Sequence, residues 1–291
     1  MNNDKKITLL DGGMGQELIH RSKFPASPLW STQVMMKEPE IVEAVHREYI
    51  NAGANVLTIN TYSATPERLK RDASEEMFEP LQAKALEIAK KAKGDSDVKI
   101  AGCLPPLFGS YHPEFAPEYE ICLATYRRVV DCQKADVDVF ICETMSSIKE
   151  ATSSTVAGKE TDKPVWCALS VDDDNGMVLR SGEPIEEAID AVKQAGADGI
   201  LFNCSLPEAI SLAMPTLAKC GLPFGAYANG FTKAKDLQVG GTVDVLKART
   251  DLDPVAYANF CNEWALLGAT LIGGCCEVGP AHISELKRRF H

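Results

Sequence analysis

Eight short segments rich in apolar and β-branched residues recur along the chain, at 7–13, 56–62, 99–105, 137–145, 164–171, 199–205, 224–230 and 270–276. Several are continuous apolar runs rather than alternating ones, the pattern of parallel strands covered on both faces. The stretches between them have helical periodicity. Over 39–51, Ile41, Val45 and Tyr49 share a face at four-residue steps, and Gly53 stands where a left-handed cap would end the helix. Over 184–194, Ile185, Ile189 and Val192 repeat the pattern, with Gly196 as the stop. Ala52-Gly53-Ala54, Ala195-Gly196-Ala197 and Leu267-Gly268-Ala269 each end a helical stretch and lead into a predicted strand, one helix-to-strand joint used three times. Eight such units in 291 residues fit a single (β/α)8 TIM-type barrel, and no Pro/Gly/Ser-rich linker divides the chain, so one domain over 1–291 is expected. The alternative is an open doubly wound sheet. Asp11-Gly12-Gly13-Met14-Gly15 lacks the spacing and setting of the dinucleotide fingerprint such a sheet would carry.

Charge narrows the function classes. A net charge of -11 offers no basic footprint for nucleic acid or an anionic membrane. The apolar run at 7–10 is too brief for a signal-peptide core or a membrane span, which predicts a cytoplasmic protein. In a reducing compartment the ten cysteines read as buried thiols, metal ligands or catalytic groups rather than disulfides. Cys103, Cys122, Cys142 and Cys167 sit in apolar runs and are expected in the core.

In a barrel the reactive residues collect at the C-terminal strand ends. Here those ends are polar or sulfur-bearing: Asp11-Gly12-Gly13, Asn60-Thr61-Tyr62, Glu143-Thr144-Met145, Asn203-Cys204-Ser205, Asn229-Gly230 and Gly273-Gly274-Cys275-Cys276. Cys204, Cys275 and Cys276 are predicted to face one another across the barrel mouth, as three thiolates that leave a fourth tetrahedral position open. Adjacent strand residues point to opposite faces, so Cys275 and Cys276 share one metal only where the strand loosens, and Gly273 and Gly274 are expected to supply that looseness. Inert thiols and a redox pair are the other readings of the same residues.

Taken together, these residues resemble the homocysteine S-methyltransferases. The resemblance runs through Asp11-Gly12-Gly13-Met14-Gly15, Leu29-Trp30-Ser31, the helix containing Val45-His46-Arg47-Glu48-Tyr49-Ile50 with its exit Ala52-Gly53-Ala54, Glu143-Thr144-Met145, Asn203-Cys204 and Ile272-Gly273-Gly274-Cys275-Cys276. The Asn-Cys and Gly-Gly-Cys-Cys signatures are specific in combination. The resemblance implies zinc (Zn2+) held by Cys204, Cys275 and Cys276, with the homocysteine sulfur in the fourth position. It also implies that Asp11 and Glu143 hold the amino-acid end of homocysteine, through its ammonium. The bland alternatives are a turn cap for Asp11 and an ion pair with a helix for Glu143. Asn203 is placed with the substrate-holding residues, although bracing of the metal loop is the favoured form of its role; Asn229 is a weaker candidate.

The other residues are read more plainly. His46 is expected on the polar, exposed side of its helix, and His20, His112, His282 and His291 make no metal-ligand spacing. No strand end carries the lysine a Schiff-base aldolase needs. The loop 104–117, with Phe108, Gly109, Tyr111 and His112, is read either as part of the donor pocket or as ordinary surface. The expected partners are homocysteine and a small methyl donor. The chain leaves no room for separate folate- and cobalamin-binding domains and lacks the C-terminal extension of the betaine-using branch, so S-methylmethionine is the expected donor, with S-adenosylmethionine second. Betaine or another donor, a different thiol or selenol acceptor, and a non-catalytic zinc- or thiol-binding barrel are the alternatives. Loss of metal is expected to let Cys275 and Cys276 oxidise with each other or with Cys204.

Overall fold

A computed structural model of the chain describes residues 6–232 and 234–291. Each of the eight predicted segments contains a strand: β1 (Thr8–Leu9), β2 (Val56–Thr58), β3 (Lys99–Leu104), β4 (Val139–Met145), β5 (Val165–Leu169), β6 (Gly199–Asn203), β7 (Phe224–Tyr227) and β8 (Leu271–Ile272). All pair in parallel in the order β1-β8-β7-β6-β5-β4-β3-β2. A bridge between Leu10 and Val56 joins β1 to β2. The ring of strands is a (β/α)8 TIM-type barrel.

Period-two alternation divides the strand side chains between two cores. Leu10, Val56, Ala101, Val139, Ile141, Ala168, Leu201, Tyr227 and Leu271 pack together inside the barrel. Their neighbours, among them Leu9, Leu57, Ile100, Phe140, Cys142, Cys167, Phe202 and Ile272, pack outward in the larger core that includes the helices. Cys103, Cys122, Cys142 and Cys167 are buried free thiols, as expected.

The repeated helix-to-strand joint is one hydrogen-bonded motif. Gly53, Gly196 and Gly268 have φ of 111°, 96° and 101°. In each case the next residue donates its N–H to a carbonyl five residues back: Ala54 to Tyr49 at 3.0 Å, Ala197 to Val192 at 3.1 Å and Ala269 to Trp264 at 3.1 Å. Glycine makes the left-handed turn without a Cβ clash, so the chain leaves each helix along the same path into a strand.

One expectation is overturned. His46, expected at the surface, is wholly buried. Its helix, Pro39–Ala52, packs against Met14–Arg21 and Ser31–Lys37 as well as against Phe78–Lys93 and Pro280–Phe290. Helices on several sides thus enclose it, and the face that carries His46 does not meet solvent. Among the described residues neither ring nitrogen of His46 has a hydrogen-bond partner, and burial pulls its pKa down to about 4. Among the described residues no helix is long and apolar enough to cross a membrane.

Candidate active site

The C-terminal strand ends open into a cavity whose lining includes Asp11, Thr58, Tyr62, Glu143, Cys204, Tyr227, Cys275 and Cys276. Cys204 directly follows β6, and Cys275 and Cys276 follow β8. Only β7 lies between those strands, so the cysteines sit side by side on one arc of the mouth rather than across it. Their sulfurs all lie within 4.8 Å of one another, and Cys204 Sγ is 2.9 Å from Cys275 Sγ. The adjacent cysteines converge because the chain leaves the ladder. Cys275 donates its N–H to Ala228 O at 2.9 Å, and Val278 donates to Cys275 O at 3.0 Å, closing a turn around the pair. The strand ends at Ile272, so the chain loosens at Gly273 and Gly274 as expected, and both glycines also allow close approach. A Cβ on Gly273 would stand 2.5 Å from Leu10 Cβ, and one on Gly274 would stand 2.1 Å from Val278 Cγ1.

These three residues could hold a metal ion. Hydrogen bonds from Cys275 and Cys276, helped by Tyr111, hold Cys204 well below the usual thiol range, while its partners are pushed up. The Tyr111 hydroxyl lies 3.1 Å from Cys204 Sγ. The loop 104–117 therefore reaches the sulfur cluster.

Two carboxyl groups share the cavity. Asp11 accepts from Thr58 N–H at 2.8 Å and from the Thr58 hydroxyl at 3.3 Å, so it is tied to β2. Burial, opposed by the Thr58 bond and reinforced by Glu143, raises its pKa to about 8. Glu143 makes no ion pair with a helix among the described residues. It accepts from Cys103 Sγ at 3.0 Å and from the Tyr227 hydroxyl at 3.4 Å. Burial, opposed by Cys103 and reinforced by Cys204, raises it to about 7. Two desolvated acids beside three thiols form an end of the cavity suited to a ligand that brings an ammonium and a sulfur.

The homocysteine S-methyltransferase family model matches residues 8–290. The chain belongs to that family. The Escherichia coli K12 homocysteine S-methyltransferase is 28% identical, covering 97% of this chain and 95% of the relative. Bovine betaine–homocysteine S-methyltransferase 1 is 27% identical, covering 98% of this chain and 72% of the relative. The solved metallated form of the Escherichia coli homocysteine methyltransferase MmuM superposes with a TM-score of 0.81 at 26% identity, covering 99% of this chain and 97% of that one.

In this methyltransferase, strain concentrates around the cavity. The five residues other than glycine with positive φ are Trp30, Tyr111, Thr144, Cys204 and Glu277, among the described residues. Three of them line the cavity, and the other two adjoin Glu143 and Cys276. Such conformations cost on the order of 1–3 kcal/mol each and persist where surrounding contacts impose them. Asn203 is one such contact. The β4 ladder is interrupted between Cys142 and Met145, and Asn203 fills the gap: Oδ1 accepts from Thr144 N–H at 3.0 Å, and Nδ2 donates to the Thr144 hydroxyl at 3.1 Å. Asn203 thereby joins the strand ends bearing Glu143 and Cys204, and it lies behind the cavity lining. Asn229 accepts at Oδ1 from Phe231 N–H at 3.0 Å, and its buried Nδ2 has no partner among the described residues.

Sequence reasoning did not find Arg180. It donates to Cys204 O at 2.9 Å, to Ser170 Oγ at 2.8 Å and to Asp173 Oδ2 at 3.2 Å, and its guanidinium lies 4.6 Å from the Tyr111 ring centre. This one buried side chain holds both the Cys204 turn and the tyrosine that meets Cys204. Cys103 was expected only as core; it also anchors Glu143. His112 fastens the far side of the cavity, one ring nitrogen lying 2.8 Å from Leu237 O.

Proposed function

We propose that this enzyme transfers a methyl group from a small sulfonium donor, S-methylmethionine foremost, to the thiol of homocysteine on a zinc site formed by Cys204, Cys275 and Cys276. The observation that carries the reading is the convergence of three sulfurs in a cavity that also holds Asp11 and Glu143. Three thiol donors facing a cavity suit a borderline-soft ion with an open position, the mark of a catalytic zinc site. Bound zinc would supply the charge that strips the proton from an incoming thiol, whose free pKa of about 8.5 leaves it mostly protonated at neutral pH.

The remaining work falls to the chain's own residues. Asp11 and Glu143 receive the homocysteine ammonium as ionised carboxylates, each held at its far side by a donor from another strand. Asn203 and Arg180 position the two strand ends without touching substrate. Trp30, Tyr62 and Tyr111 line the cavity and offer ring faces and edges to a cationic donor. In the transfer, the methyl carbon–sulfur bond of the sulfonium breaks as a bond to the homocysteine sulfur forms, and the donor leaves as a neutral thioether. A cation and a thiolate are consumed together, so a desolvated cavity favours the change, and in-line orientation supplies much of the acceleration.

The test is methionine formation from homocysteine with S-methylmethionine, S-adenosylmethionine and betaine supplied separately. Activity with S-methylmethionine above the other two is expected. Turnover with betaine alone would replace the donor assignment, and zinc binding without transfer from any donor would favour the non-catalytic barrel.

A further inference from the structure

The cavity contains a cation that none of the preceding steps uses. Arg68, in the helix Pro66–Asp72, is only 7% exposed and lines the cavity. Its Nε and Nη2 donate to Pro106 O at 3.3 and 3.1 Å, and Nη2 lies 3.5 Å from Ser110 Oγ. Its guanidinium also lies 5.2 Å from the Tyr62 ring centre. Nη1 has no hydrogen-bond partner, and no carboxylate lies within ion-pair distance, among the described residues. The acids on its own helix are engaged elsewhere, Asp72 with Arg71 at 2.7 Å and Glu67 with the Thr125 hydroxyl at 2.9 Å. Burial pulls the Arg68 pKa down, yet a guanidinium stays charged in a protein. A buried, uncompensated cation is costly unless something meets it, and the open side here is the cavity.

The position separates Arg68 from the homocysteine end. Asp11 is held by Thr58, and Glu143 by Cys103 and Tyr227; Arg68 hydrogen-bonds to none of these residues. It reaches the sulfur cluster by another route: Ser110 is hydrogen-bonded to Tyr62 at 2.8 Å, and the next residue, Tyr111, meets Cys204. Arg68 thus stands on the aromatic side of the cavity, with the rings that would face a cationic methyl donor.

We propose that Arg68 binds the carboxylate of the methyl donor, so that this site selects donors that carry a cationic methylated centre and a carboxylate together. The proposal rests on the reading of the cavity as a site for homocysteine and a cationic donor. A charge-assisted bond of the usual strength makes loss of this contact worth a roughly ten- to hundredfold rise in donor KM.

The test compares wild type, Arg68→Gln and Arg68→Lys with two donors: S-methylmethionine and its decarboxylated analogue, (3-aminopropyl)dimethylsulfonium. Wild type should prefer the carboxylate-bearing donor. Arg68→Gln should raise the KM for S-methylmethionine by that factor, leave the analogue and the KM for homocysteine within about twofold, and largely erase the preference. Arg68→Lys should restore part of it and provides the comparison if the glutamine variant fails to fold. An equal loss with both donors, or a rise confined to the KM for homocysteine, overturns the assignment while methyl transfer from a sulfonium stands. A wild type inactive with S-methylmethionine overturns the sulfonium reading and this proposal with it.

Discussion

Replacing Arg180 with methionine should unlatch the Cys204 turn from behind. The two partners of the Arg180–Asp173 pair are only 4% and 7% exposed, so the substitution strands a buried carboxylate. Breaking such a pair from one side costs about 3–5 kcal/mol. The change also removes the donor to Cys204 O, on a residue whose φ of 53° has to be imposed by its surroundings. If Cys204 holds zinc as proposed, a partner one bond removed from it should govern metal affinity by about 10- to 100-fold. Urea unfolding at fixed free zinc should therefore show Arg180→Met less stable by about 3–5 kcal/mol, and chelator competition should show zinc bound about 10- to 100-fold more weakly. Adding Asp173→Asn should recover much of the stability, because it removes the stranded charge, but little of the zinc affinity, because Cys204 O still lacks its donor. Stability within about 0.5 kcal/mol of wild type together with unchanged zinc affinity would refute the latch.

Two further predictions follow from buried ionisable groups. The Asp11 and Glu143 pKa values are raised to about 8 and about 7, and only their ionised forms can pair with the homocysteine ammonium. The KM for homocysteine should rise as pH falls from about 8 towards 6. Zinc-bound thiol also releases a proton, so Glu143→Gln is the control: its profile should be shallower, and an unchanged slope would remove Glu143 from the ammonium site. The pKa of His46 is shifted in the opposite direction to those of the acids. Its pKa is depressed from 6.5 to about 4, so its contribution to stability is whole above pH 6.5 and is lost as pH falls through 4. That difference amounts to about 3 kcal/mol. His46→Phe should flatten the acid limb of the stability profile between those values, and an identical limb in both proteins would mean that His46 is not neutral in the fold.

The barrel was legible because its evidence is local. Apolar runs, helical periods and the Gly-Ala joints each lie within a few residues of sequence, and the joints proved to be one hydrogen-bonded motif used three times. The cysteines were legible because strand-end positions in a parallel barrel meet at one mouth, whatever their separation in sequence. Extents were less legible: the first predicted segment covers 7–13, but its ladder is only Thr8–Leu9, since the polar end leaves the sheet to build the site. His46 was misjudged because periodicity shows one apolar face and does not show that other helices cover the second. Arg180, Cys103 and Arg68 carried no local signal. Their roles come from partners such as Cys204, Glu143 and Pro106, which are 24, 40 and 38 residues away.

The most direct test of the account is zinc content and methyl transfer to homocysteine, measured on the same preparations of wild type and Cys275→Ala. The account predicts one tightly held zinc per wild-type chain, methionine formed from S-methylmethionine, and loss of both in the variant while its fold persists. Full transfer activity in a Cys275→Ala protein that holds no zinc would contradict it.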